Sequence, residues 1–490
     1  MDQEGTRLAG ADGPALSERS PEPGTGRSAS SGPAGDPGDP GANAAPSAGR
    51  AAPPTGRPAA PASPPGSGRQ AVEAVWRIES ARIVGGLARY TGDFALAEDL
   101  AQEALAEALV TWPREGVPHN PAGWLLTVGR RRAIDTFRRR SARDERYAVL
   151  ARDLDDGEAA TGAPPSGDRA DRDLLWDPDR IDDDILALTF TACHPVLSRE
   201  ARVALTLRVI GGLTSDEIAH AFLQPTATVQ ARITRAKKTL AAAQVPFEVP
   251  PADERRERIG SVLNVVYVIF TEGSTASSGD DLIRVDVASE ALRQSRVLSR
   301  LLPDEPEVHG LLALLELTAA RFPARIGPDG EPVLLEQQDR RRWDASAIRR
   351  GRAALAHAAG LGRGLGAYGL QASIAEVHAV APSVADTDWS RVVLLYDALA
   401  ELTPSPVVEL NRAVAVSMER GPAAALPLVD ALADDARLAG SHLLPSVRGE
   451  LLRRMGRTDD ARAELERAVA LCGNARERAV LEGKLADLGA

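Results

Sequence analysis

The residues best suited to chemistry on a partner molecule fall between Leu213 and Lys238. Thr214 and Glu217 stand at capping-box spacing at the start of a short helix, whose Ile218, Ala219 and Phe222 can turn inward. A tight connection at Leu223-Gln224 leads to Pro225, which suits the first turn of a second helix. At 100° per residue, Val229, Ile233, Ala236 and Leu240 of that helix share one side. Ala227, Ala231, Thr234, Arg235 and Lys238 lie opposite, with Gln230 at the margin. Small residues, a hydroxyl and two cations on an outward face suit a DNA major groove, where arginine donates to guanine edges and lysine neutralises phosphate. An ordinary amphipathic hairpin fits the periodicity equally well, but leaves a cationic face on an acidic chain unexplained.

A second block runs from Asn120 to Arg140. Asn120-Pro121 reads as an N-cap followed by proline at the first helical position. Leu126, Ala133, Ile134 and Phe137 then form a core-facing stripe, and Arg131, Arg138 and Arg139 join Trp124 and Val128 on the other side. Six arginines against one aspartate in residues 130–140 make a phosphate-binding surface. Trp124 beside it can stack on an unpaired base, although a lone helical tryptophan is more often simply half-buried.

Other candidates for chemistry are weaker. Cys193-His194 are adjacent on a helix, so their side chains diverge, and no second Cys or His stands nearby in sequence. Glu272 and the Ser277–Asp281 cluster resemble a carboxylate site, but serine and aspartate more often cap helices. No catalytic residue, metal or cofactor is expected.

These blocks must be carried by several folded units, because 490 residues exceed one typical domain. Hydrophobic residues make up 43% and aromatics only 4%, so the cores are built from Leu, Val, Ile and Ala, which favours an all-α fold. A net charge of −11 argues against indiscriminate nucleic-acid coating and confines any DNA binding to local basic surfaces. Two distant cysteines, Cys193 and Cys472, give no disulfide framework and fit a reducing cytoplasm. The most apolar stretch, around Val262–Phe270, is too short to span a bilayer.

Composition divides the chain. Residues 1–70, rich in Gly, Ala, Pro and Ser, read as a disordered tail. A helical unit follows over 71–142, in which Ala95–Val110 forms one helix ended by Trp112-Pro113. Residues 143–184 read as an acidic linker, 185–245 as the unit holding the two-helix motif, and prolines 246, 250 and 251 separate it from an Ala/Leu-rich helical region, 246–490. Gly456, Ala461, Leu465 and Ala468 follow half of a tetratricopeptide-type pattern, and Gly421 stands 35 residues before Gly456, near that period of about 34.

Taken together, the two cationic blocks resemble the promoter-binding regions of the sigma-70 family, in the short two-domain form of the extracytoplasmic-function sigma factors. Leu96-Ala-Glu-Asp-Leu-Ala-Gln-Glu-Ala is similar to the helix that docks on the clamp-helix coiled coil of the largest polymerase subunit. The resemblance implies that Glu98, Asp99, Gln102 and Glu103 face core RNA polymerase. It implies that the loop Thr111–His119 and the helix after it capture promoter DNA at the −10 element, through His119, Asn120, Trp124, Arg131, Arg138 and Arg139. Gln230, Ala231, Thr234 and Arg235 fall where the family contacts the −35 element, with Lys238 on the same face. Leu223 departs from the glycine common at that turn, which would tilt the second helix. The acidic linker would thread a cationic channel of the polymerase.

Further blocks resemble one subgroup that carries a long helical, tetratricopeptide-like C-terminal extension. They are Phe190-Thr-Ala-Cys-His-Pro-Val-Leu, Glu272-Gly273 with Ser277-Ser-Gly-Asp-Asp, Leu301-Leu-Pro-Asp-Glu-Pro-Glu-Val, Leu335-Glu-Gln-Gln-Asp-Arg with Trp343-Asp, Thr387-Asp-Trp, and Ser405-Pro-Val-Val-Glu-Leu-Asn-Arg. The resemblance covers about residues 73–488 and implies that the extension is needed for activity. It names no dedicated anti-sigma partner. A one-component helix-turn-helix regulator with a sensing helical domain is the alternative reading; it would bind palindromic DNA without polymerase.

Overall fold

The computed structural model describes residues 67–152, 178–222, 224–274, 284–327 and 333–488, and among these the regular structure is helical with no strand. The expected tail falls outside them except at its end, where α1 (Ser67–Thr91) already begins. The middle of the expected linker, the Ser277–Asp281 cluster and Leu223 also fall outside them.

Helix α2 (Phe94–Glu115) is capped by Asp93, whose carboxylate accepts from the Leu96 N–H. The sequence places its end at Trp112-Pro113, but the helix runs a turn further and stops at Gly116, at φ 90°. Trp112 is buried, and anchoring that side chain outweighs the backbone bond that Pro113 cannot donate. Helix α3 (Pro121–Arg152) starts where expected, with Asn120 Oδ1 accepting from the Gly123 N–H at 3.0 Å.

Both expected linker ends are helical. Helix α3 continues ten residues beyond 142, and α4 (Pro178–Ala192) begins before 185. Asp184 of α4 is buried against Gly85 of α1 and pairs with Arg89 at 3.1 Å. Helices α5 (Arg199–Val209), α6 (Ser215–Ala221) and α7 (Thr226–Ala242) follow. The capping box forms as expected, and Pro225 occupies the N-cap of α7. Gly212, at φ 67°, lets the loop before α6 approach α1 so closely that a Cβ would lie 2.8 Å from Ser80 Oγ.

The proline-rich segment does not divide the core. Helices α8 (Ala252–Ser274) and α9 (Val285–Leu301) pack onto α4 and α5, and one buried apolar cluster runs from Val72 to Ala372. Polar bridges reinforce this seam. Arg202 donates to Ser261 Oγ, which donates to the Cys193 carbonyl, both at 2.8 Å; Arg258 reaches the Phe190 carbonyl at 2.9 Å. Arg293 reaches the Ile210 carbonyl at 2.9 Å, and Arg284 donates to the Ala221 carbonyl at the end of α6.

The remaining helices are α10 (Pro306–Ala319), α11 (Phe322–Arg325), α12 (Ala345–Gly360), α13 (Ala367–Val380), α14 (Trp389–Leu402), α15 (Pro406–Arg420), α16 (Pro422–Asp430), α17 (Leu443–Arg454), α18 (Thr458–Leu471) and α19 (Ala475–Asp487). Most pack on their sequence neighbours, and a second cluster runs from Leu370 to Ala461. Gly421 and Gly456 both follow helix ends with positive φ, and Ala461, Leu465 and Ala468 are buried.

Candidate nucleic-acid interface

The outward face of α7 is the clearest surface of the molecule. Val229, Ile233, Ala236 and Leu240 are buried, while Gln230, Ala231, Thr234, Arg235 and Lys238 are all exposed. Asp216 at the start of α6 accepts from the Thr226 hydroxyl at 2.8 Å and ties the two helices together at the turn. Arg232, at the edge of the face, donates to Gln224 at 2.9 Å. Arg235 is exposed and donates from Nε to the Ala231 carbonyl at 3.3 Å.

The α2–α3 surface is more engaged. His119, Asn120, Arg131, Arg138 and Arg139 are exposed. Asn120, however, uses its side-chain oxygen to cap α3. Arg131 pairs with Glu107 at 2.9 Å, and Arg132 bridges Glu103 at 2.8 Å and Glu107 at 2.7 Å. The hydrogen bond from Arg132 holds the Glu107 carboxyl below its ordinary range, and Glu107 in turn raises the guanidinium of Arg132. Trp124 is half-buried, edge-to-face on Trp112 with ring centroids 5.6 Å apart.

The expected stripe on α3 needs correction. Val128 is buried and Ile134 is 39% exposed, because Leu125, Leu126, Val128 and Ala133 form the line that meets α1 and α2. Gly129 allows this approach: a Cβ there would lie 2.8 Å from a Leu87 methyl carbon.

The acidic set on α2 divides. Asp99 and Glu103 are exposed and Gln102 is half-buried, but Glu98 is only 3% exposed and does not face solvent. Helix α7 lies across α2 and delivers Lys237, whose Nζ donates to Glu98 at 2.7 Å and to Asp99 at 2.6 Å. Arg208 of α5 approaches the other Glu98 oxygen at 3.4 Å. Burial works against charge on Lys237, but Glu98 and Asp99 outweigh it and hold the ammonium above its ordinary value. Arg77 of α1 and Glu217 of α6 form a second ion pair across the same seam. Sequence reasoning missed Lys237 and Arg208, since neither lies on a face that periodicity marks as a partner for α2.

Cys193 is buried and shares a 3.3 Å contact with the Thr206 hydroxyl; burial pushes its thiol up to about 11. The neighbouring His194 ring nitrogen accepts from the Val196 N–H at 3.1 Å. Glu272 pairs with Arg284 at 3.0 Å. These contacts account for Cys193 and Glu272 as parts of the packing. Among the described residues, no helix is long and apolar enough to cross a membrane.

Comparison with known proteins gives matches in the same order along the chain. Residues 78–143 match the family model for sigma-70 region 2, and residues 188–240 that for sigma-70 region 4. Residues 258–359 match a family of unknown function, DUF6596. Uncharacterized protein R00370 of Rhizobium meliloti (strain 1021) is 44% identical over 412 residues, covering 83% of this chain and 93% of its own length. The probable ECF RNA polymerase sigma factor SigI of Mycobacterium tuberculosis (strain CDC 1551 / Oshkosh) is 29% identical over 214 residues, 44% of this chain and 66% of that protein. No solved structure matches the chain.

Proposed function

The chain belongs to the extracytoplasmic-function sigma factors of the sigma-70 family and carries a C-terminal extension; from that premise we propose that it directs initiation by docking on core RNA polymerase through α2 and reading promoter DNA through α3 and α7. The observation that carries the reading is the face of α7, where five side chains suited to a major groove are exposed and the opposite four are buried. In this reading Gln230, Ala231, Thr234, Arg235 and Lys238 meet the −35 element. The −10 element meets His119, Asn120, Trp124, Arg131, Arg138 and Arg139.

Strand opening costs a few kcal/mol per unstacked step, which base capture and phosphate contacts offset. The polymerase supplies the phosphoryl-transfer chemistry, and the sigma factor contributes position. Docking through Glu98, Asp99, Gln102 and Glu103 has a structural condition. The first two hold Lys237, so α7 must leave α2 before polymerase engages them.

Transcription in vitro with purified core enzyme tests the proposal. Initiation from a cognate promoter is expected only when the chain is added. Arg235→Ala is expected to weaken −35 discrimination by about 1–3 kcal/mol, a loss on the order of ten- to a hundredfold. Tight binding of the isolated chain to a palindromic duplex, with no effect on polymerase, would favour the one-component regulator instead.

A further inference from the structure

The segment Leu335–Asp344 and the Thr387-Asp-Trp motif have no part in promoter reading, yet they fold together. The segment makes two short 3-10 turns, Leu335–Gln337 and Arg340–Arg342, ahead of α12. Trp343 is 5% exposed at their end. The guanidinium carbon of Arg340 lies 4.2 Å from the Trp343 ring centroid and that of Arg321 lies 5.4 Å away. Arg340 also ties down the end of α13, its Nη1 donating to the carbonyls of His378 and Ala381. His378 packs edge-on against Trp389, with centroids 5.3 Å apart.

Polar atoms buried here with no hydrogen-bond partner among the described residues include Arg340 Nη2, Trp343 Nε1 and His378 Nδ1, and one acceptor, Gln338 Oε1. Burying such groups unmatched is unfavourable, more so for a charged one. Two carboxylates of the segment are committed elsewhere. Asp339 holds Arg341 at 3.0 Å, and Asp344 caps α12 by accepting from the Ser346 and Ala347 N–H groups. Burial depresses the Arg340 guanidinium, and the charge that adds to the effect is Arg321, of the same sign. Burial, then Arg321 and Arg340, push His378 down to about 4. Unmatched polar atoms are therefore gathered around one indole, with the Arg340 guanidinium over its face.

We propose that this cluster binds a small oxyanion, a carboxylate or a phosphate, through Arg340 Nη2 and Trp343 Nε1. An oxyanion supplies the acceptors these donors lack, and its oxygens match the fork of a guanidinium. Arg340 is half-buried as a residue and Arg341 and Arg342 are exposed beside it, but Arg340 Nη2 and Trp343 Nε1 are themselves covered, so an oxyanion enters only as the exposed arginines move aside. The site belongs to the extension and is independent of the promoter-reading proposal. A water molecule is the competing occupant, and it predicts no response to anions.

The test uses the full-length protein labelled with 15N at its six tryptophans. The probes are sodium phosphate and sodium malonate, titrated separately at ionic strength held constant with sodium chloride. One indole N–H resonance, the one missing from Trp343→Phe, is expected to move saturably, and Arg340→Lys is expected to weaken the binding at least tenfold. Arg340→Lys keeps the charge and loses the fork, and the wild-type titration stands even where a variant folds poorly. Saturation by phosphate alone, malonate alone or both identifies the source of the oxyanion. A Trp343 resonance that neither probe moves, or that moves equally in Arg340→Lys, would overturn the proposal.

Discussion

At Thr214 and Glu217 two side chains fix both ends of a recognition motif's first turn. The Thr214 hydroxyl accepts from the Glu217 N–H at 3.1 Å, and Glu217 Oε2 accepts from the Thr214 N–H at 2.8 Å. Glu217 also reaches Arg77 on α1, so one carboxylate serves a local cap and a long-range contact. Thr214→Ala is expected to destabilise the fold by about 1 kcal/mol, read as a lower urea midpoint with unchanged slope. His378 carries a pH dependence. Its folded-state pKa, about 4, lies below the ordinary 6.5, so the unfolded chain takes up the proton first. Stability is therefore complete above about pH 6.5 and is lost as pH falls toward 4, by about 3 kcal/mol in total. Denaturation of wild type and His378→Gln across that range should show the component only in wild type. The cap was legible because its two residues are three apart. The Glu98–Lys237 pair spans 139 residues, and a helical wheel shows which face is polar without showing what covers it.

At the scale of elements, periodicity served best where the buried positions fall in one stripe, as on α7, although that helix touches α2, α5 and α6. The buried line of α7 was read correctly, since α7 has a single apolar stripe. Helix α3 packs against both α1 and α2, and a two-sided contact buries a wider arc than the stripe of Leu126, Ala133, Ile134 and Phe137 allowed for. The same limit hid the contact between α8 and α9. A Cβ on Gly273 would stand 2.4 Å from the Ala288 backbone nitrogen, a clash no side-chain rotation relieves. Gly273→Ala is expected to push the two helices apart and cost about 1–3 kcal/mol. A drop in the thermal midpoint, larger than that of Gly260→Ala at an open position, would check this.

Across the whole molecule, composition marks a boundary at the prolines that the packing runs across. Three prolines at 246–251 suggest a boundary, but Val262, Val266, Tyr267 and Phe270 of α8 lie in the same buried cluster as Val203, Leu205 and Leu207 of α5. Deleting residues 251–490 would uncover the face of α4 and α5 that α8 and α9 close. The truncated chain is expected to lose cooperative unfolding of the α4–α7 unit and with it the −35 binding proposed above. Near-ultraviolet circular dichroism and promoter footprinting would check the two losses separately. A truncated protein that melts sharply and footprints normally would show that α4–α7 fold alone.

The shared cluster also bears on how such proteins exchange parts. It ends at Ala372, and the next cluster begins at Leu370, so the two apolar clusters change over at α13 and not at the prolines. Recombination at residues 246–251 would set a foreign α8 against a native α5, and the hybrid would survive only where the two surfaces already fit. Descent should therefore keep α4 through α9 together as one inherited block, and leave the helices after α13 freer to be replaced.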